Sequence, residues 1–168
     1  PLQAERDFEL DVDGLLNAAR VNPVKLVFVC TPNNPTGGSV PVGKIEGLAT
    51  ALAGRALVVV DEAYAEFADT PSVTSLLGVH PNLVVLRTLS KAYGLAGARL
   101  GVLIAAPEII GLIRRIMAPY PLPTPCLAAA LAAFSDAASA ARVEHLATTR
   151  SERLRLATAL RAHPAVRH

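Results

Sequence analysis

The sequence predicts an α/β domain around a mostly parallel sheet, on three observations. Short apolar runs rich in β-branched residues recur before residue 106, and they do not alternate with polar residues as half-exposed strands do. At least one amphipathic helical stretch lies between them, and each of the first three runs ends in a polar cluster. Strand, helix, strand, helix, strand is the rhythm of a sheet wound with crossover connections.

The polar opening twenty residues carry an apolar helical patch at Leu15 and Leu16. Residues 25–30 then read as a buried strand, closed by the dense turn signal of residues 31–38. Residues 42–53 place Ile45, Leu48, Ala49 and Leu52 on one helical stripe. A second strand is expected over 56–60, a short helix over 71–77, a third strand over 82–88 and a fourth over 99–105. After Pro107 the pattern is helical: 108–117, a Pro-rich break over 119–125, then 126–134 and a long helix from about 139 to 161. The break is the expected boundary between a sheet-bearing part, residues 1–120, and a helical part, residues 121–168.

Of the 168 residues, 52% are hydrophobic and 18% charged, which builds a core and excludes intrinsic disorder. Sixteen basic against fourteen acidic residues, with no basic block, argue against a nucleic-acid partner. The apolar runs are too short to span a bilayer, and no secretory leader pattern is seen. Cys30 and Cys126 suit neither a disulfide framework nor a metal site and read as small core residues. A soluble, cytoplasmic setting is the expectation. The termini read as those of an internal fragment.

In α/β sheets ligands bind outside the carboxyl ends of the strands. Three polar clusters fall there: residues 33–37, 61–64 and 88–91. Singly each has an ordinary explanation, since Asn-Pro-Thr-Gly is a turn, Asp61 could cap a helix and Lys91 could be a solvated lysine. Jointly they offer a lysine amine able to form an imine, a carboxylate in Asp61, and hydroxyl and guanidinium donors for a phosphate in Thr88, Ser90 and Arg99. A nucleophilic lysine needs its proton affinity lowered by burial or by a nearby cation, and Arg87 and Arg99 flank it in sequence. Imine, ring-nitrogen partner and phosphate donors are the needs of pyridoxal phosphate.

Three stretches carry a family resemblance: PNNPTG at residues 32–37, VDEAYAEF at 60–67 and RTLSKAYGLAGARLG at 87–101. With them the chain resembles the fold type I pyridoxal-phosphate aminotransferases, over essentially its whole length. FELDVD at 8–13 and APYP at 118–121 resemble the histidinol-phosphate branch of that family. The resemblance implies part of an aspartate aminotransferase-like large domain, followed by helices leading to a small domain. It implies a Schiff base on Lys91, with Lys91 also moving the substrate proton. Asp61 would pair with the pyridine nitrogen, Asn34 and Tyr64 would hydrogen-bond the phenolic oxygen, and Thr88, Ser90 and Arg99 would hold the phosphate. No metal is implied.

The implied reaction is amino transfer from histidinol phosphate to 2-oxoglutarate, in a homodimer whose partners are a small-molecule amino donor and a 2-oxo acid. A sister enzyme such as a threonine-phosphate decarboxylase or an aromatic aminotransferase, or an aminotransferase-like sensor, shares these motifs. By the same resemblance, a glycine-containing phosphate loop and a ring-stacking aromatic lie upstream. An arginine that grips the substrate lies downstream, and a tyrosine comes from the partner subunit. Residues 1–168 alone are expected to be inactive. Glu62, Arg87 and Tyr93 are expected to serve ion pairing or packing, and His80, His145, His163 and His168 to be non-catalytic.

Overall fold

The chain is described from a computed structural model, which covers residues 2–3 and 8–166. A two-residue ladder pairs β1 (Leu2–Gln3) with β2 (Glu9–Leu10) in antiparallel fashion. Helix α1 (Val12–Val21) follows at once, its N-terminus capped where the Asp11 carboxylate accepts from the Gly14 amide at 2.9 Å.

The central sheet has the order β3 (Leu26–Cys30), β4 (Leu57–Asp61), β5 (Leu83–Thr88), β6 (Gly101–Ala105). The first three strands are parallel and the fourth is antiparallel, so the expectation of a mostly parallel sheet holds. Helix α2 (Val42–Ala51) makes the β3–β4 crossover. Its Ile45 and Leu48 pack with Val27, Val29, Val58, Val60, Leu83 and Val85 in the main core, which α1 also joins through Ala19. The alternation along a strand turns Val59, Asp61 and Phe28 toward the opposite face.

Several expected elements differ from those observed. Residues 71–77 form no α-helix; a single 3-10 turn, Val73–Leu76, stands there. The Ser72 hydroxyl and the Val73 amide donate instead to the Glu62 carboxylate, at 2.7 and 2.8 Å, which diverts this segment from helical pairing. The fourth strand starts at Gly101 rather than 99, because Arg99 takes a left-handed conformation with φ 53°. It runs antiparallel because residues 89–100 turn back at the carboxyl edge itself, where Thr88 pairs with Gly101 and the Leu89 amide donates to the Leu100 carbonyl at 3.2 Å.

Three helices complete the chain: α3 (Pro107–Ile116), α4 (Thr124–Ala133) and α5 (Asp136–Arg161). The Pro-rich break ends earlier than expected, since Pro125 lies in the first turn of α4, where no N–H is needed. α5 begins at Asp136 because Ser135 caps it, accepting from the Ala138 amide at 3.3 Å. A second small core joins Leu89, Leu100 and Ala130, with Tyr93 and Cys126 against it. Cys30 and Cys126 are half-buried free thiols. No single helix among the described residues is long and apolar enough to cross a membrane.

Beneath the sheet's carboxyl edge, Glu62 is buried at 2% exposure and is satisfied from three directions. Besides Ser72 and Val73 it accepts from Arg87 Nη1 at 2.9 Å, while Arg87 Nη2 donates to Glu66 at 2.6 Å. Partial burial alone would lower the Arg87 pKa. The hydrogen bonds and charge of Glu66, joined by those of Glu62, outweigh it and hold the guanidinium above its ordinary value. Glu62→Ala removes the acceptor of Ser72, the buried Val73 amide and Arg87 Nη1 at once and leaves Arg87 on Glu66 alone, so it is expected to cost on the order of 3 kcal/mol. Urea unfolding of the complete protein measures this. Glu46→Ala, at a half-exposed carboxylate, serves as the comparison and should shift the midpoint little.

Candidate active site

The sheet register brings three loops to one edge. Cys30 pairs with Asp61 and Asp61 with Leu86, so β3, β4 and β5 end side by side. The Thr31 amide donates to the Asp61 carbonyl and the Glu62 amide to the Leu86 carbonyl, both at 2.9 Å, which extends this alignment into the loops. From these ends leave the turn with Asn34, the segment with Tyr64 and the loop with Lys91.

The turn is internally fixed. Asn33 and Gly38 close it by a backbone bond of 2.8 Å, and Gly37 takes φ 76°, a conformation open to glycine. Val40 donates to the buried Thr31 hydroxyl at 2.9 Å. Asn34 is thereby presented outward, and its Nδ2 donates to the Tyr64 hydroxyl at 3.2 Å, across thirty residues of sequence. Lys91 Nζ sits 5.1 Å from the centroid of the Tyr64 ring, within cation–π range. Asn34, Tyr64 and Lys91 thus form one contiguous group.

Asp61 ends β4 and is half-buried. Its Oδ1 accepts from the Ala63 amide at 3.0 Å, which orients the carboxylate. Among the described residues no basic side chain forms an ion pair with it, so its charge is available to a ligand cation. It lines a recess of about 530 Å³ that also holds Phe28, Thr36 and Lys44.

Thr88, Ser90 and Arg99 stand at the two ends of the loop between β5 and β6. Thr88 Oγ1 donates to the Leu100 carbonyl at 3.2 Å and accepts from the Ser90 amide at 3.1 Å. Thr88 pairs with Gly101, which brings the two ends of the loop together. Arg99 is exposed, with Nη1 donating to the Ala96 carbonyl at 3.1 Å.

One expected neighbour is elsewhere. Arg87 flanks Lys91 in sequence, but the pleat sends its side chain to the Glu62 face, where two carboxylates neutralise it. It therefore does not act on Lys91, which is itself exposed. Tyr93 packs on the Phe134 ring at 5.3 Å and under Arg142 at 4.5 Å. His80 faces Glu46 at 3.7 Å, beyond the amino end of β5 and away from this edge. Sequence reading missed Arg150. It reaches from α5 to the Glu66 and Ala68 carbonyls at 3.1 and 3.2 Å, a contact over more than eighty residues that no local pattern announces.

Residues 1–164 match the family described as aminotransferase class I and II. The chain belongs to that family. As a class I and II aminotransferase chain it is 51% identical over 166 residues to a histidinol-phosphate aminotransferase of Stenotrophomonas maltophilia, covering 99% of this chain and 46% of that protein. It is 49% identical to a histidinol-phosphate aminotransferase of Xylella fastidiosa, over 95% of this chain and 44% of the relative. Its fold matches the crystal structure of histidinol-phosphate aminotransferase from Sinorhizobium meliloti in complex with pyridoxal-5'-phosphate. The TM-score is 0.79 at 35% identity, over 87% of this chain and 40% of that one. The chain therefore spans less than half the length of these relatives. Among the described residues no cluster of His, Cys, Asp or Glu could hold a metal ion.

Proposed function

We propose that this chain carries the lysine-bearing part of a pyridoxal-phosphate aminotransferase, and that the whole protein transfers the amino group of histidinol phosphate to 2-oxoglutarate. The observation that carries this reading is the grouping of Asn34, Tyr64 and Lys91 beside Asp61 at the ends of neighbouring parallel strands. The donor set suits the cofactor. Asp61 offers a second carboxylate oxygen to a protonated ring nitrogen, and the Tyr64 hydroxyl, already accepting from Asn34, has a proton left to give. Ser90 and Arg99 supply phosphate donors from the loop after β5, while the Thr88 hydroxyl, whose one proton goes to the Leu100 carbonyl, would have to turn to add a third.

When bound, pyridoxal phosphate withdraws the electrons released as the substrate Cα–H bond breaks. Lys91 Nζ would hold the cofactor and, when its amine is free, would take and return the substrate Cα proton. An amine on a flexible stem can do both, whereas a guanidinium stays protonated. Asp61 keeps the ring nitrogen charged by a fixed ion pair. Asn34 and Tyr64 orient the phenolic oxygen and lower its proton affinity. Residues 1–120 would then complete the large domain, and residues 121–168 would lead into a second, helical one. A cytoplasmic homodimer is the assembly this reading implies.

The test uses the complete protein loaded with pyridoxal phosphate. Histidinol phosphate is expected to abolish the cofactor's visible absorption, and 2-oxoglutarate to restore it. The same response to threonine phosphate or an aromatic amino acid, with none to histidinol phosphate, would move the substrate to a sister enzyme. A spectrum that no amine alters would overturn amino transfer.

A further inference from the structure

Tyr64 begins a short segment with little backbone support of its own. It is followed by a single 3-10 turn, Ala65–Phe67, closed by bonds from the Phe67 amide to the Tyr64 carbonyl (3.0 Å) and from the Ala68 amide to the Ala65 carbonyl (3.1 Å). A turn this short leaves later carbonyls without partners. Arg150, midway along the 26-residue α5, fills that gap: Nη2 donates to both the Glu66 and Ala68 carbonyls. Asp69 stands 3.9 Å from the same nitrogen. Arg87 holds the Glu66 side chain from the sheet side. Between the two carbonyls lies Phe67, whose ring packs at 6.4 Å against that of Tyr64. A chain of contacts thus runs from Arg150 through the turn and Phe67 to the hydroxyl that meets Asn34.

We propose that Arg150 is a positioning residue for Tyr64, so that helix α5 sets where the tyrosine hydroxyl stands. The inference rests on the reading above that this hydroxyl donates to the cofactor's phenolic oxygen. A donor there favours the unprotonated oxygen, so a displaced Tyr64 lets the bound chromophore hold its proton to higher pH.

The readout is the pH midpoint of the visible absorption change in the complete, cofactor-loaded protein without substrate. Arg150→Met is expected to raise that midpoint by about half a unit or more, the size of one weakened hydrogen bond. Tyr64→Phe should raise it further, and adding Arg150→Met to Tyr64→Phe should then change nothing, because the two act through one contact. Arg150→Lys keeps a cation with a single-point reach and should fall between wild type and Arg150→Met; it also serves should the methionine variant fail to fold. If Tyr64→Phe moves the midpoint and neither Arg150 variant does, the positioning role is overturned while the cofactor reading stands. Equal shifts from Arg150→Met in both backgrounds would likewise overturn it. If Tyr64→Phe moves nothing, the cofactor contact of Tyr64 falls, and this inference with it.

Discussion

Borohydride is expected to fix pyridoxal phosphate covalently to the complete wild-type protein at Lys91 and to leave Lys91→Ala without label at the peptide containing residue 91. The chain has three lysines, and their places in the fold separate them. Lys25 precedes β3, at the opposite edge from the candidate site. Lys44 lies on α2, where it faces Glu9 at 3.7 Å. Lys91 alone stands over Tyr64 among the loops at the strands' carboxyl ends. Reduction traps a carbonyl only where an amine has condensed with it, so labelling reads the bond directly and does not depend on turnover. Lys44→Ala should label as wild type does. Label that persists at full yield in Lys91→Ala, or maps to Lys44 in the unmodified protein, would remove Lys91 from the role.

Asp61→Asn is expected to keep the cofactor and to lose turnover on the order of 10²–10³-fold, as when a preorganised electrostatic partner is removed. The substitution nearly preserves shape. The amide oxygen can still accept from Ala63, so the loop after β4 keeps its bond of 3.0 Å. What would disappear is the negative charge proposed to face the ring nitrogen, and with it the reason for that nitrogen to stay protonated. Cofactor content measured by absorbance, set beside single-turnover rates, separates the two effects. Near-normal turnover would mean that Asp61 does not partner the ring nitrogen.

Much of this was legible in the sequence for identifiable physical reasons. Val58, Val59 and Val60 form an uninterrupted apolar run because β4 is covered on both faces, and such runs are hard to mistake. The turn around Asn34 and the loop around Lys91 announce themselves through proline, glycine and small polar residues. Pattern reading went astray where tertiary contacts override local preference. The Glu62 carboxylate recruits Ser72 and Val73, so residues 71–77 lose the helix that their composition suggests. Arg87 and Lys91 are four residues apart, yet strand geometry separates their functions. Arg150 could not be found by any local rule, since its acceptors are backbone carbonyls, which leave no trace in residue type.

Asp61 and Glu62 are neighbours with nearly the same chemistry, and the pleat alone gives them different occupations. One faces the loops with a charge to offer, and the other is sealed beneath the sheet against Arg87. Slipping β4 by a single residue would turn each acid to the other face, carrying Glu62 to the place of Asp61 at the loop edge and Asp61 back to the buried place of Val60. Such a slip would also take the acceptor from Arg87 Nη1 and from the Val73 amide, leaving the guanidinium on Glu66 alone. The buried ion pair thus works as a proofreading contact: it penalises the one misalignment that would put the wrong acid in the right place.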